Sequence, residues 1–224
     1  IGAFGDRFAD IARVYGADVK KLSFDWGLPA DPDAVRQALR DDAGIKAVLV
    51  THNETSTGIT NDLKSIAAVA REFDKLILVD GVSSVGSIDL PVDAWQCDVV
   101  VTGSQKGWMT QPGMAMVSMS QRAWQAHEKA RMPHFYRDLG RARKIFEEKG
   151  QTPWTPAIST LFAMDVGLDL IEKEGLQNVF ARHARVARAA REGAKSLGLT
   201  LFARESHASN TVTAINMPAG VDGK

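Results

Sequence analysis

The 224 residues suffice for one large domain, or for one domain and the start of another. Lysine plus arginine equals aspartate plus glutamate, 27 against 27, so bulk charge selects neither nucleic acid nor an anionic membrane as a partner. The single cysteine, Cys97, excludes an internal disulfide, and no apolar run approaches the roughly 20 residues needed to span a bilayer.

The first residues, Ile1 to Arg7, carry charge and glycine where a signal peptide would be apolar. With one cysteine this predicts a cytoplasmic, reducing setting. The chain does not begin with methionine, and Pro218 to Lys224 read as a turn into further structure. The expectation is a chain truncated at both ends; a processed mature chain is the alternative.

In chain order, Phe4, Phe8, Ile11, Ala12 and Tyr15 form a helical stripe. Lys20 to Trp26 is short and alternating, which predicts a strand. Asp31 and Pro32 predict a capped helix start. Lys46 to Thr51 predicts a strand, Asn61 or Asp62 caps a helix to about Phe73, and Leu76 to Asp80 predicts the next strand. Asp98 to Thr102 and Met114 to Met119 predict two more. Helices are expected from Leu161 to Lys173 and from Leu176 to Leu197, then short strands at Leu199–Phe202 and Thr211–Ile215. Apolar strands, some separated by helices, imply an α/β fold with a mostly parallel sheet covered on both faces. The domain reading is a large domain over residues 1–173 and the beginning of a smaller α+β domain over 174–224.

In such a sheet, ligands bind at the carboxyl ends of the strands. Polar residues gather there: His52, Asn53, Glu54 and Thr55 after one strand, Asp80 and Ser83 after the next, and Ser104, Gln105 and Lys106 after the third. Lys106 is either a solvated loop lysine or a nucleophilic amine held near a carbonyl, able to form a Schiff base. Asp80 ends an apolar strand, so its carboxylate needs a partner. A protonated pyridine nitrogen would serve, and a turn-capping aspartate is the alternative. Lys106 lies 26 residues after Asp80, which places both on strand ends with room for a ring between them. Cys97 precedes a buried strand and reads as a small apolar residue.

Three motifs in order, Thr51-His52-Asn53-Glu54-Thr55-Ser56-Thr57-Gly58, Val79-Asp80-Gly81-Val82-Ser83-Ser84 and Gly103-Ser104-Gln105-Lys106, resemble the class V pyridoxal-phosphate-dependent aminotransferases, those acting on alanine or serine with glyoxylate or pyruvate. Gly2 to Phe8 and Thr152 to Ser159 extend the similarity. The resemblance implies the fold type I architecture of pyridoxal-phosphate enzymes, pyridoxal 5'-phosphate as cofactor, small amino acids and 2-oxo acids as substrates, and a homodimer. It implies Lys106 as the cofactor lysine and proton shuttle, Asp80 on the pyridine nitrogen and Val82 on a ring face. Thr55 would lie near the phenolic oxygen and Gln105 near the phosphate. Thr155 lies in a segment offered to the neighbouring subunit's site, unless that segment is an internal loop. His52 is either a cofactor contact or a hydrogen-bonded structural residue. A glycine- and serine-rich phosphate turn and a stacking aromatic would precede Ile1, and a substrate arginine would follow Lys224. A cysteine desulfurase-like lyase is the nearest alternative, but Gln105 stands where such enzymes usually have histidine. An inactive fragment serving as an interaction module is the other.

Overall fold

The computed structural model describes residues 1–222; Gly223 and Lys224, part of the expected turn into further chain, lie outside them. The elements run α1 (Ala3–Val14), α2 (Pro32–Asp41), β1 (Ala47–Thr51), β2 (Asn53–Glu54), β3 (Ile59–Thr60), α3 (Leu63–Glu72), β4 (Leu76–Asp80), β5 (Val99–Gly103) and β6 (Ala115–Met119). They continue with α4 (Gln121–Glu128), α5 (Leu139–Lys149), α6 (Ile158–Glu174), α7 (Leu176–Ser196) and a 3-10 turn at Glu205–His207.

The four main strands lie in the order β1-β4-β5-β6. β1, β4 and β5 are parallel, and β6 closes the edge antiparallel to β5. The apolar stripe of α3 covers one sheet face: Leu63, Ile66, Ala67 and Ala70 pack with Val50, Ile77, Val79 and Val100. Outside that layer, Val35 and Leu39 of α2 meet Val69 of α3. Asp31 caps α2 by accepting from the Asp33 N–H, and Asp62, rather than Asn61, caps α3 through Ser65. Asn61 instead ties the Ala30 N–H to the Thr51 carbonyl.

Three expectations need correction. Lys20 to Trp26 is not a strand: apart from a turn at its end it is irregular, and Leu22 spends its apolar surface against the α2–α3 layer. Leu199–Phe202 and Thr211–Ile215 form no regular strands. They meet through one bridge, Leu201 to Ile215, and two flanking backbone bonds. On the face opposite α3, Leu49 keeps 37% and Val117 42% of its surface exposed. The register Thr51–Asp80–Val101–Val117 puts Asp80 on this same, more open face.

Candidate active site

Glu54 follows β1 and is fully buried, and its carboxylate has a structural use. It accepts from the Phe4 and Gly5 N–H groups at the start of α1 and from the Ser56 N–H and hydroxyl. These are among the donors that a helix leaves unpaired at its first turn, and a carboxylate suits that positive end. A Cβ on Gly2 would lie 2.4 Å from the Glu54 side chain, so only glycine lets α1 dock this closely. Glu54 thereby seats α1 beside the strand ends.

Asp80 sits on the last residue of β4, half-buried. Its Oδ1 accepts from the Val82 N–H (3.0 Å) and its Oδ2 faces the Thr51 hydroxyl (3.4 Å). Among the described residues no cation pairs with it. Burial pushes its carboxyl above the ordinary range against the pull of those two hydrogen bonds, and the nearby Glu54 charge pushes the same way.

The loop after Asp80 and the loop after β5 meet backbone to backbone. A Cβ on Gly107 would lie 2.4 Å from the Val85 carbonyl oxygen and 2.6 Å from Ser87 Oγ, and Gly86 faces Gly107 across the same contact. Gly86 has φ +82°, a conformation that favours glycine. This contact carries Lys106, one residue before Gly107, to the Asp80 loop. Ser104 braces the Lys106 loop from inside: it is fully buried, accepts from the Thr110 N–H and donates to the Gln111 carbonyl.

The result is a cavity of about 510 Å³ at the carboxyl ends of the strands. Lys106 and Thr55 both line it, with Ser83 and Ser87 from the Asp80 loop. The Thr55 hydroxyl donates to Ser83 Oγ (3.1 Å), and Ser83 donates to the Asn53 carbonyl (2.8 Å). A wall invisible in the sequence comes from α7 and residues 210–213. Thr211 donates to the Ser83 carbonyl (3.1 Å) and receives Asn53 Nδ2 (3.0 Å), while Arg191 of α7 holds the Ser209 carbonyl. Arg182 also lines the cavity, but Glu174 holds its guanidinium through two bonds of 2.6 and 2.8 Å. No local pattern marks these residues; only the docking of α7 shows them.

The remaining expected positions are spread around this centre. Val82 is half-buried and offers its N–H to Asp80. Gln105 is exposed, and its side chain lies over Gly103. His52 is 2% exposed, edge-on to Trp95, with Nδ1 unpartnered among the described residues. Burial lowers its pKa to about 4, so the ring is neutral. Thr155 is exposed beside Trp154 and does not line the cavity.

The Lys106 amine and the Thr55 hydroxyl line this cavity, whereas the Asp80 carboxylate, at the end of β4 before the loop that supplies Ser83 and Ser87, is not among its lining residues. An amine and a carboxylate lacking a cation are groups that could hold a carbonyl cofactor with a protonated ring nitrogen. The comparisons with known proteins agree. The model of the aminotransferase class-V family matches residues 7–223, and the chain belongs to that family. A soluble hydrogenase 42 kDa subunit of Anabaena cylindrica is 43% identical over 97% of this chain and 57% of its own length. An L-aspartate–glyoxylate aminotransferase of Paracoccus denitrificans is 40% identical over 99% of this chain and 57% of its own. The crystal structure of an alanine–glyoxylate aminotransferase from Nostoc sp. superimposes with a TM-score of 0.94 at 33% identity, over 99% of this chain and 59% of that one. The chain thus spans little more than half the length of these relatives. The fold is that of the fold type I pyridoxal-phosphate enzymes, and membership in the family implies pyridoxal phosphate as the cofactor. No helix among the described residues is long and apolar enough to cross a membrane.

Proposed function

We propose that the protein is a pyridoxal-phosphate-dependent transaminase that moves an amino group from a small amino acid, alanine or serine, to a 2-oxo acid such as glyoxylate or pyruvate. The observation that carries this reading is the cation-less Asp80 carboxylate joined to the Lys106 loop through the Gly86–Gly107 contact. When bound, pyridoxal phosphate supplies an electron sink for charge developing at the Cα of an amino acid. Asp80 supplies the negative charge that keeps a pyridine nitrogen protonated. Lys106 would present the amine that holds the cofactor's carbonyl carbon and, once a substrate amino group has displaced it, its freed Nζ would take and return the Cα proton. Thr55, fixed by Ser83, would orient a phenolic oxygen, and on the family resemblance Val82 would pack on the ring and Gln105 would lie near the phosphate. His52, neutral and buried behind β1, fits a supporting position better than a charged one.

The same reading takes the protein as a cytoplasmic homodimer in which the segment around Thr155 reaches a neighbouring site, and residues 174–224 as the opening of a second domain. Glyoxylate as acceptor is supported by the names of the Paracoccus and Nostoc relatives. A desulfurase-like reaction is disfavoured by Cys97. That thiol is 4% exposed, sits before β5, and is pushed up to about 11 by burial, so it cannot act as a mobile nucleophile.

The test is an amino-transfer assay of the protein at its relatives' full length, with alanine, serine and aspartate as donors and glyoxylate and pyruvate as acceptors. Stoichiometric pairing of amino donor loss with glycine or alanine formation is expected. Release of sulfide or alanine from cysteine, without transfer, would replace this reading with the lyase one.

A further inference from the structure

We propose that His127, His134 and Asp138 form a binding site for a zinc-type divalent cation, outside the cofactor cavity. The three residues come from the last turn of α4, the connection that follows it, and the N-cap of α5. One donor atom from each lies within 4.8 Å of the others. His134 Nε2 stands 3.4 Å from Asp138 Oδ2, and His127 Nε2 stands 3.8 Å from Asp138 Oδ1. Around a tetrahedral ion with bonds of about 2.0–2.1 Å, neighbouring donors stand about 3.4 Å apart, so the three groups need only small shifts.

Two features orient the rings as ligands. His134 Nδ1 lies 2.7 Å from the Met132 carbonyl, which can only accept, so Nδ1 carries a proton and Nε2 is the nitrogen turned toward the cluster, available to a cation. That is how protein carbonyls hold metal-binding imidazoles. His127 is seated against the first turn of α5: a Cβ on Gly140 would lie 2.5 Å from its Nε2. Trp124 meets the His127 ring edge-on from the other side. The neighbouring guanidiniums do not compete for the carboxylate. Arg141 lies over Phe135 and Trp154, and Arg143 over Trp124.

Asp138 Oδ1 accepts from the Arg141 N–H (3.0 Å), which fixes the carboxylate in place at the start of α5. Two imidazoles and one carboxylate suit zinc, cobalt or nickel better than calcium or magnesium. The three side chains keep 24–36% of their surface exposed, which leaves a solvent position for a fourth ligand. An ion here would also fix the α4–α5 connection. Through it the ion would steady Trp154, which stacks on Tyr136 at 5.3 Å and donates to its carbonyl at 2.8 Å. Trp154 directly precedes Thr155, so the ion would brace that segment from behind.

The alternative is an ordinary ion pair between protonated histidines and Asp138, and the experiment separates the two. Metal-free protein without cofactor is titrated with Zn²⁺ by calorimetry and with Co²⁺ by visible absorption. One equivalent of Zn²⁺ should bind and raise the melting temperature, and Co²⁺ should give the intense visible band of a four-coordinate site. His134→Ala, Asp138→Asn and Gly140→Ala should each weaken binding by about tenfold or more, while wild-type and variants melt alike in chelator. Zn²⁺ binding that is absent, or unchanged in all three variants, would overturn the site. A pH-dependent melting temperature lost in His134→Ala, with no response to metal, would assign the cluster to the ion pair instead.

Discussion

Two aspartates at opposite ends of the sheet show how the molecule treats a buried charge. Asp98 precedes β5 at the amino end and is fully buried. It receives the Ser120 hydroxyl (2.7 Å) and the Ile77 N–H (3.0 Å), and Arg71 and Arg122 stand at 3.6 and 3.5 Å. Asp80, at the carboxyl end, has one backbone N–H and a distant hydroxyl, and no cation among the described residues. The fold neutralises the acid it needs for architecture. It leaves the other without a cation among the described residues, on the more exposed sheet face, where on the proposed reading a ligand's positive nitrogen would complete it. The proposed function assigns the first carboxylate to structure and the second to the site, and this difference supports that assignment.

The comparison breaks first at Lys106. Lys106 is exposed, so Lys106→Ala should leave the melting temperature unchanged yet lower transamination by roughly 10³-fold or more, about 4 kcal/mol in barrier. Wild-type turnover in that variant would dissolve the functional half of the contrast. Asp98→Asn should act the opposite way. Removing the charge leaves Arg71 without its carboxylate, Arg122 with Asp74 alone, and weakens the buried bonds to Ile77 and Ser120, so chemical denaturation should record a loss of roughly 1–3 kcal/mol.

A third prediction concerns His52, a buried titratable group at the functional end. Its folded pKa, about 4, lies below the unfolded value of 6.5. The unfolded chain therefore binds a proton that the folded one refuses between those values. Stability should be flat above pH 6.5 and fall as pH drops toward 4, by roughly 3 kcal/mol. Urea midpoints across that range check it, and His52→Gln should flatten the slope.

Asp80→Asn gives the smallest energy and the sharpest contrast. Its carboxyl is raised in the fold, so the group favours folding when protonated, and that contribution is lost as pH rises from below 3.8 through the raised value. At pH 7 the amide should melt no lower than wild type. Activity should nonetheless fall by at least roughly 10²-fold, about 2.7 kcal/mol, because an amide does not hold a pyridinium proton.

Much of this was legible in the sequence, for identifiable reasons. Leu76 to Asp80 and Asp98 to Thr102 are apolar runs ending in polar residues, and they became β4 and, one residue shifted, β5. Asp31 announced its cap by chemistry alone, whereas the choice between Asn61 and Asp62 was made only by the structure, which uses Asp62. Lys20 to Trp26 misled because alternation also arises where an irregular segment packs single apolar side chains on a helix layer. The roles of Glu54 and Asp98 were not readable. Apart from Ser56 beside Glu54, their partners lie 20 to 50 positions away and are chosen by docking, not by local pattern. The α7 wall of the cavity was hidden for the same reason: Arg182 and Thr211 mean nothing until α7 and residues 210–213 fold over the strand ends.

The most direct test of the central claim locates the cofactor on the chain. The protein is incubated with pyridoxal phosphate, reduced with borohydride, digested, and each lysine peptide is weighed for the pyridoxyl mass. The account predicts the label on Lys106, in preference to every other lysine, and its loss from that position in Lys106→Ala with no new dominant site. A label spread evenly over surface lysines, or concentrated on another one, would contradict the assignment of the site.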